Sequence, residues 1–270
     1  MKPNCLMLLS LSALVGVVTP LPAQPTNVAD KVLDQVKIEA ERGDAQAQYN
    51  LALRYIKGDV VTKDPAEALK WLRKSADQGN APAQFGLGVC YFNGDGVTKD
   101  PAEAVRWYRK AAEQGFAVAQ FHLGDCCYTG DGTAKDSVEA AKWYRKAAVR
   151  GMADAQYNLS VCCAKGDGVD KDPFDAAAWC RRAAEQGLPV AQLDLGCYCA
   201  NGTGVAQDSV EALKWLTLAS AHGEEMAAKY VPIVQRQMTT EQIAEAHQLA
   251  REFKPRQTKG QPLSGSSQSH

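Results

Sequence analysis

The sequence is poor in the groups that catalysis, metal binding and nucleic-acid recognition need. It has four histidines, His122, His222, His247 and His270, and no two share a metal-ligand spacing, which excludes the common helix-borne and finger-type sites. The 30 Lys+Arg against 31 Asp+Glu give a formal charge of −1, so there is no cationic excess to neutralise phosphates and no nucleic-acid partner is expected. Gly-x-Ser-x-Gly, Ser-x-x-Lys and Gly-x-x-x-x-Gly-Lys are all missing, and with them the motif-borne serine nucleophiles and the phosphate-cradling loop. Aromatic residues are sparse at 7%. Beyond Val18 no apolar run approaches the roughly 20 residues that span a bilayer, so no membrane span is expected. What remains is ordinary soluble composition, 46% hydrophobic and 23% charged, which excludes wholesale disorder. No cofactor is implied.

Nine cysteines stand out against this background. The first, Cys5, falls in an apolar run to Val18 that follows Lys2 and ends at Thr19-Pro20-Leu21-Pro22-Ala23. A cationic start, a short apolar core and a small-residue exit predict a secretory signal over 1–23 with cleavage near Ala23, and hence export to the periplasm or the extracellular space.

The strongest pattern is a beat of 36. Trp71, Trp107, Trp143, Trp179 and Trp215 are each 36 residues apart, as are Gly43, Gly79, Gly115, Gly151, Gly187 and Gly223. Such a fixed period is the signature of a solenoid, here with units 43–78, 79–114, 115–150, 151–186 and 187–222. Each unit carries two helical patterns. The second opens on Asp64-Pro65-Ala66-Glu67 or its copies at Asp100, Asp136, Asp172 and Asp208, an N-cap followed by a first-turn acid. The first ends at a glycine pair, as in Gly94-Asp95-Gly96; these loops lack the acid pattern of a calcium site and read as turns. The sequence therefore predicts an all-α, right-handed α/α solenoid. Residues 24–42 and 223–253 serve as linker and helical caps, and 254–270 as a disordered tail.

Ala47-Gln48-Tyr49-Asn50-Leu51, Leu87-Gly88-Val89-Cys90-Tyr91, Gly94 to Asp100 and Glu103 to Ala112 resemble the Sel1-like repeat, of the tetratricopeptide-like superfamily. The resemblance recurs five times and covers about two-thirds of the chain. It implies a non-catalytic protein- or peptide-binding scaffold, with the first helices lining the concave face. It also implies two rivals. Some secreted members are described as penicillin-binding or β-lactam-hydrolysing, and an exported repeat protein can act on a host or neighbouring cell. The expected partner is a protein or peptide, and the expected state a monomer.

Five aligned copies separate packing columns from variable ones. Ala47, Gln48 and Leu51 recur unchanged in every unit, and the invariant Gln is expected to satisfy backbone between neighbouring units. Positions three, seven and ten after each Gly share a helical face and vary. On that face Asn50, His122, Asp125, Asp154, Asn158 and Asp194 are the candidate contact residues. Asn158 and Asn201 also begin glycosylation sequons. The eight cysteines after the signal keep the beat in columns 90/126/162 and 127/163/199. Equivalent positions about 10 Å apart are too far for a disulfide, so diagonal staples Cys90–Cys127, Cys126–Cys163 and Cys162–Cys199, with Cys180–Cys197, are one pairing that export would favour. Buried free thiols are the other reading. Disulfide-rich secreted members of the resembled family carry cysteines seven apart around the Gly turn, a spacing this chain lacks.

Overall fold

The computed structural model describes residues 28–58 and 60–256. The expected signal segment and cleavage site lie outside the described residues, as do residues 257–270 of the expected tail.

Among the described residues the chain forms thirteen α-helices and no strand. They are α1 (Val28–Glu41), α2 (Ala45–Lys57), α3 (Pro65–Asp77), α4 (Ala81–Asn93), α5 (Pro101–Glu113), α6 (Ala117–Thr129), α7 (Ser137–Val149), α8 (Ala153–Lys165), α9 (Pro173–Glu185), α10 (Pro189–Asn201), α11 (Ser209–Ala221), α12 (Glu225–Gln235) and α13 (Thr240–Glu252). Each first helix packs on its own second helix and on the second helix before it. The result is an all-α solenoid whose core is a series of apolar clusters between the stacked helices.

Local chemistry explains the ends of these helices. The Asp64, Asp100, Asp136, Asp172 and Asp208 side chains accept from backbone N–H groups of the first turn at 2.8–3.1 Å, satisfying donors the helix itself leaves free. The first helices begin differently. Asp44 and Asn80 cap α2 and α4, but Phe116, Met152 and Leu188 stand at that place before α6, α8 and α10 and make no side-chain cap bond. These three side chains pack against the core instead.

Small residues let paired helices close on large ones. A Cβ on Gly88 or Gly124 would meet the ring of Tyr108 or Tyr144 at 2.6 and 2.8 Å, and one on Gly196 would meet Leu216 at 2.7 Å. In the fourth unit Ser160 takes the small position. Its hydroxyl donates to the Ala176 carbonyl at 2.8 Å, and Cys180 replaces the large partner. In units two to five the second glycine of the loop locks neighbouring units, because it lies on the start of the preceding unit's second helix: a Cβ on Gly132 would stand 2.1 Å from the Pro101 carbonyl oxygen.

The invariant Gln column does what its constancy suggests. Nε2 of Gln48, Gln84, Gln120, Gln156 and Gln192 donates to the carbonyl eight residues earlier, on the preceding second helix, at 3.0–3.3 Å. On the outer side a cation lies over each periodic Trp, with Lys110 and Lys146 both 3.7 Å from the ring centroid.

The ends are closed by helices. At the C-terminus α12 and α13 both pack on α11, with Thr239 and Gln242 forming a capping box at the start of α13. The expected disorder from Lys254 is corrected for the first three residues. Arg256 donates its backbone N–H to the Glu185 carbonyl at 2.8 Å and pairs with the Glu185 carboxylate at 2.9 Å, while Phe253 sits edge-on to Trp215 at 5.3 Å. Two polar contacts and an aromatic anchor hold a segment whose composition alone predicts freedom.

Candidate functional site

The variable face of the first helices divides into two regions. Units one and two carry Leu53, Pro82, Gly86 and Val89 there, and these line an apolar pocket of about 370 Å³ with Tyr49, Phe85 and other residues. Units three to five carry the polar candidates other than Asn50.

His122, Asp125, Asp154 and Asn158 form one cluster. The His122 ring packs among Phe85, Phe121 and Tyr108 with centroids 5.1, 5.3 and 5.9 Å away. Burial lowers its pKa, and the Asp154 charge partly opposes that. Asp125 accepts from the Tyr144 hydroxyl at 2.7 Å and from Asn158 Nδ2 at 3.2 Å. Burial pushes its pKa up to about 6, with the Asp154 charge adding to the rise and the two hydrogen bonds opposing it. Asp194 lies one unit further on and accepts from Tyr157 at 3.0 Å; burial raises its pKa too. Asn50 is apart from the others, exposed and bonded to Gln46 in its own helix at 3.1 Å. The structure thus joins four of the six candidates, places Asp194 next to them and leaves Asn50 outside. Tyr144, Tyr157 and Phe85 were missed: they stand in aromatic columns, which read as core.

The raised pKa of Asp125 has a testable sign. Its folded value of about 6 exceeds the ordinary 3.8, so the native state binds more protons than the unfolded state between those values. Its contribution to stability therefore falls as pH rises from about 4 to 6. His122, shifted the other way, opposes this over part of the window, so Asp125→Asn must be compared with the parent at each pH. At about 1.4 kcal/mol per pKa unit, reduced for solvent on the open side, the variant should gain about 2 kcal/mol more at pH 7.5 than at pH 4. Urea melts that show no pH-dependent gain would exclude the buried charge.

The cysteine columns diverge, so the four expected bridges are corrected. All eight described cysteines are free thiols, seven of them buried. Successive helical residues point about 100° apart. Cys126 therefore lies beside Tyr108, whereas Cys127 sits with Glu139 and Arg109. Cys90–Cys127, Cys126–Cys163 and Cys162–Cys199 would each have to join these two directions. Cys180–Cys197 fails similarly: Cys180 donates to the Ala191 carbonyl at 3.2 Å in a cluster with Cys199, while Cys197 packs against Leu216 and Ala227. Burial pushes the thiol of Cys126 up to about 12 and that of Cys90 to about 11, which suits inert packing rather than nucleophilic use.

Among the described residues no group of three or more His, Cys, Asp or Glu is placed to hold a metal ion, and no helix is long and apolar enough to cross a membrane. The Sel1 repeat model matches residues 45–80, 81–116, 117–151, 153–188 and 189–224. The chain belongs to the Sel1 repeat family. Among solved Sel1-type structures it resembles c5321, described as a protective antigen present in uropathogenic Escherichia coli strains and displaying an SLR fold. The TM-score is 0.74 at 38% identity, over 82% of this chain and 48% of that one. A Sel1 repeat protein from Oxalobacter formigenes gives a TM-score of 0.70 at 33% identity, over 87% of this chain and 94% of that one. A curated relative, the secretory immunoglobulin A-binding protein EsiB of Escherichia coli, is 41% identical over 69 residues, 26% of this chain but only 12% of EsiB. The chain thus spans about half of the first structure and about an eighth of the curated relative. Sel1 repeats generally serve as protein-interaction scaffolds.

Proposed function

We propose that this Sel1 protein is a non-catalytic scaffold that acts outside the cytoplasm and binds a protein or peptide along the first-helix face, taken as concave. The observation that carries the reading is the continuity of that face. An apolar pocket around Phe85 and Pro82 leads to the His122–Asp125–Asp154–Asn158 cluster and then to Asp194. An extended ligand gains hydrophobic area at one end and hydrogen-bonded specificity at the other. Export is supported by the cationic, apolar and small-residue order of residues 1–23, with the protein acting as a monomer.

The test is affinity capture of extracellular ligands by the full chain, followed by titration of the captured ligand; secretory immunoglobulin A is a first probe, suggested by the EsiB relationship. Reversing Asp154 to Lys and Asp194 to Lys together should weaken binding about tenfold or more while the helical circular dichroism stays at the parent value. A captured ligand that binds both proteins equally would move the interface off this face.

A further inference from the structure

The polar ladder between units has one rung missing. In four units the carbonyl oxygen of the invariant Gln meets a side-chain nitrogen 30 residues later. Gln78, Gln114 and Gln186 donate to Gln48, Gln84 and Gln156 at 2.8, 2.7 and 2.8 Å, and the His222 ring nitrogen lies 3.2 Å from Gln192. In the third unit the donor position is occupied by Arg150. Gln120 Oε1 there is buried, with no hydrogen-bond partner, in a side chain only 3% exposed.

Arg150 does not fill the gap. Its guanidinium lies over Gly115, 2.5 Å from where a Cβ would stand. Beside it opens a groove of about 1160 Å³, lined by Gln120, Gln114, Trp143, Lys142, Lys146 and Arg150 among others. Gln114 is already spent on Gln84. Of the three acids at the rim, Asp136 caps α7 and Glu139 holds Arg109 at 2.6 Å and the Trp143 indole at 3.2 Å, while Glu113 makes no ion pair among the described residues. Lys142, Lys146 and Arg150 make no ion pair among the described residues, although Lys146 covers the Trp143 ring. The groove therefore offers an unpaired buried acceptor next to cations that hold no acid. A bare anion satisfies the cations but not the acceptor, since it brings no proton. A ligand that satisfies both carries an N–H donor beside a carboxylate.

We infer that this groove, on the second-helix side, is a further protein-interaction site that takes an acidic peptide segment of a partner, whose Asn or Gln carboxamide donates to Gln120 Oε1 and whose carboxylate pairs with Arg150. The carboxamide is the group this fold itself places against the Gln carbonyl in three of the other four units.

The test uses the full ¹⁵N-labelled chain and a blocked peptide, acetyl-Asp-Gln-Glu-Asp-amide, titrated to about 10 mM, the range expected for a few polar contacts. The Gln120 side-chain amide and Arg150 Nε signals should shift, and a peptide with Leu in place of Gln should bind roughly fivefold more weakly. Arg150→Gln supplies the missing rung from within the chain and should abolish the shift, while Arg150→Lys, which keeps the charge without the rung, should retain it. No shift, an unchanged titration in Arg150→Gln, or equal binding of the Leu peptide would each overturn the site; the first would mean that the acceptor is hydrated. Signals of Asp125 and Asp154 should not move, so this result is independent of ligand binding on the first-helix face.

Discussion

Replacing Gly204 by Ala should cost about 3–4 kcal/mol and separate the last unit from the rest of the solenoid. Gly204 has φ of +67°, and a Cβ built on it would lie 1.9 Å from the Pro173 carbonyl oxygen and 2.5 Å from its carbon. Backbone cannot swing aside as a side-chain end can. Relief therefore requires lifting the loop off α9, at the seam between the fourth and fifth units. The left-handed conformation alone costs a non-glycine residue only about 1–2 kcal/mol, and this chain supplies its own control. Val60, at the same point of the first unit, holds φ of +65°, so the geometry admits a side chain where no close approach forbids it. Most of the loss should come from the clash. In a stack that is coupled only between neighbours, the damage stays near the seam. Amide exchange should rise across α10 to α13 and change little in α2 to α5, while urea denaturation reports the loss of stability. Val60→Gly should be neutral or slightly stabilising. A Gly204→Ala protein within about 0.5 kcal/mol of the parent would show that the loop is not a lock.

The same contrast shows what the sequence could reveal. The beat of Trp and Gly, the Asp caps and the glycine pairs are local and repeated, so five copies disclosed both the helices and their stacking. The constant Gln disclosed its role because any polar side chain held unchanged between units must satisfy something. The variable face was legible only as a face. That Asp125 meets Tyr144 and Asn158 depends on the second helix of its own unit and the first helix of the next, and periodicity gives no such distances. Phe116, Met152 and Leu188 stand where capping residues are usual, and each exchanges a cap bond for partial burial against the core. The cysteines misled for an equally physical reason. A spacing of 37 suggests a diagonal step, but the extra residue turns the side chain about 100° toward a different neighbour.

The missing rung makes two members of one constant column unequal, and their substitution should reveal it. Gln156→Leu keeps roughly the same volume but removes a donor that serves the Ala148 carbonyl at 3.0 Å and an acceptor that serves Gln186 at 2.8 Å. Both partners then lose their only bond to this side chain inside a packed interface. At about 1–3 kcal/mol for each buried group left unsatisfied, less what Gln186 recovers from water, the loss is about 3 kcal/mol. Gln120→Leu removes only the donor to Ala112, at 3.0 Å, and it also deletes an acceptor that is itself buried without a partner. Those effects oppose, so its net cost should be about 1 kcal/mol or less. Urea melts of the two variants should therefore differ by about 2 kcal/mol although the residues are identical in sequence column and equally buried. Arg150→Gln should raise stability by about 1 kcal/mol, and in that background Gln120→Leu should cost as much as Gln156→Leu. Equal costs in the parent would mean that Arg150 turns inward and completes the ladder itself, and the groove beside Trp143 would then have no unpaired acceptor to offer a ligand.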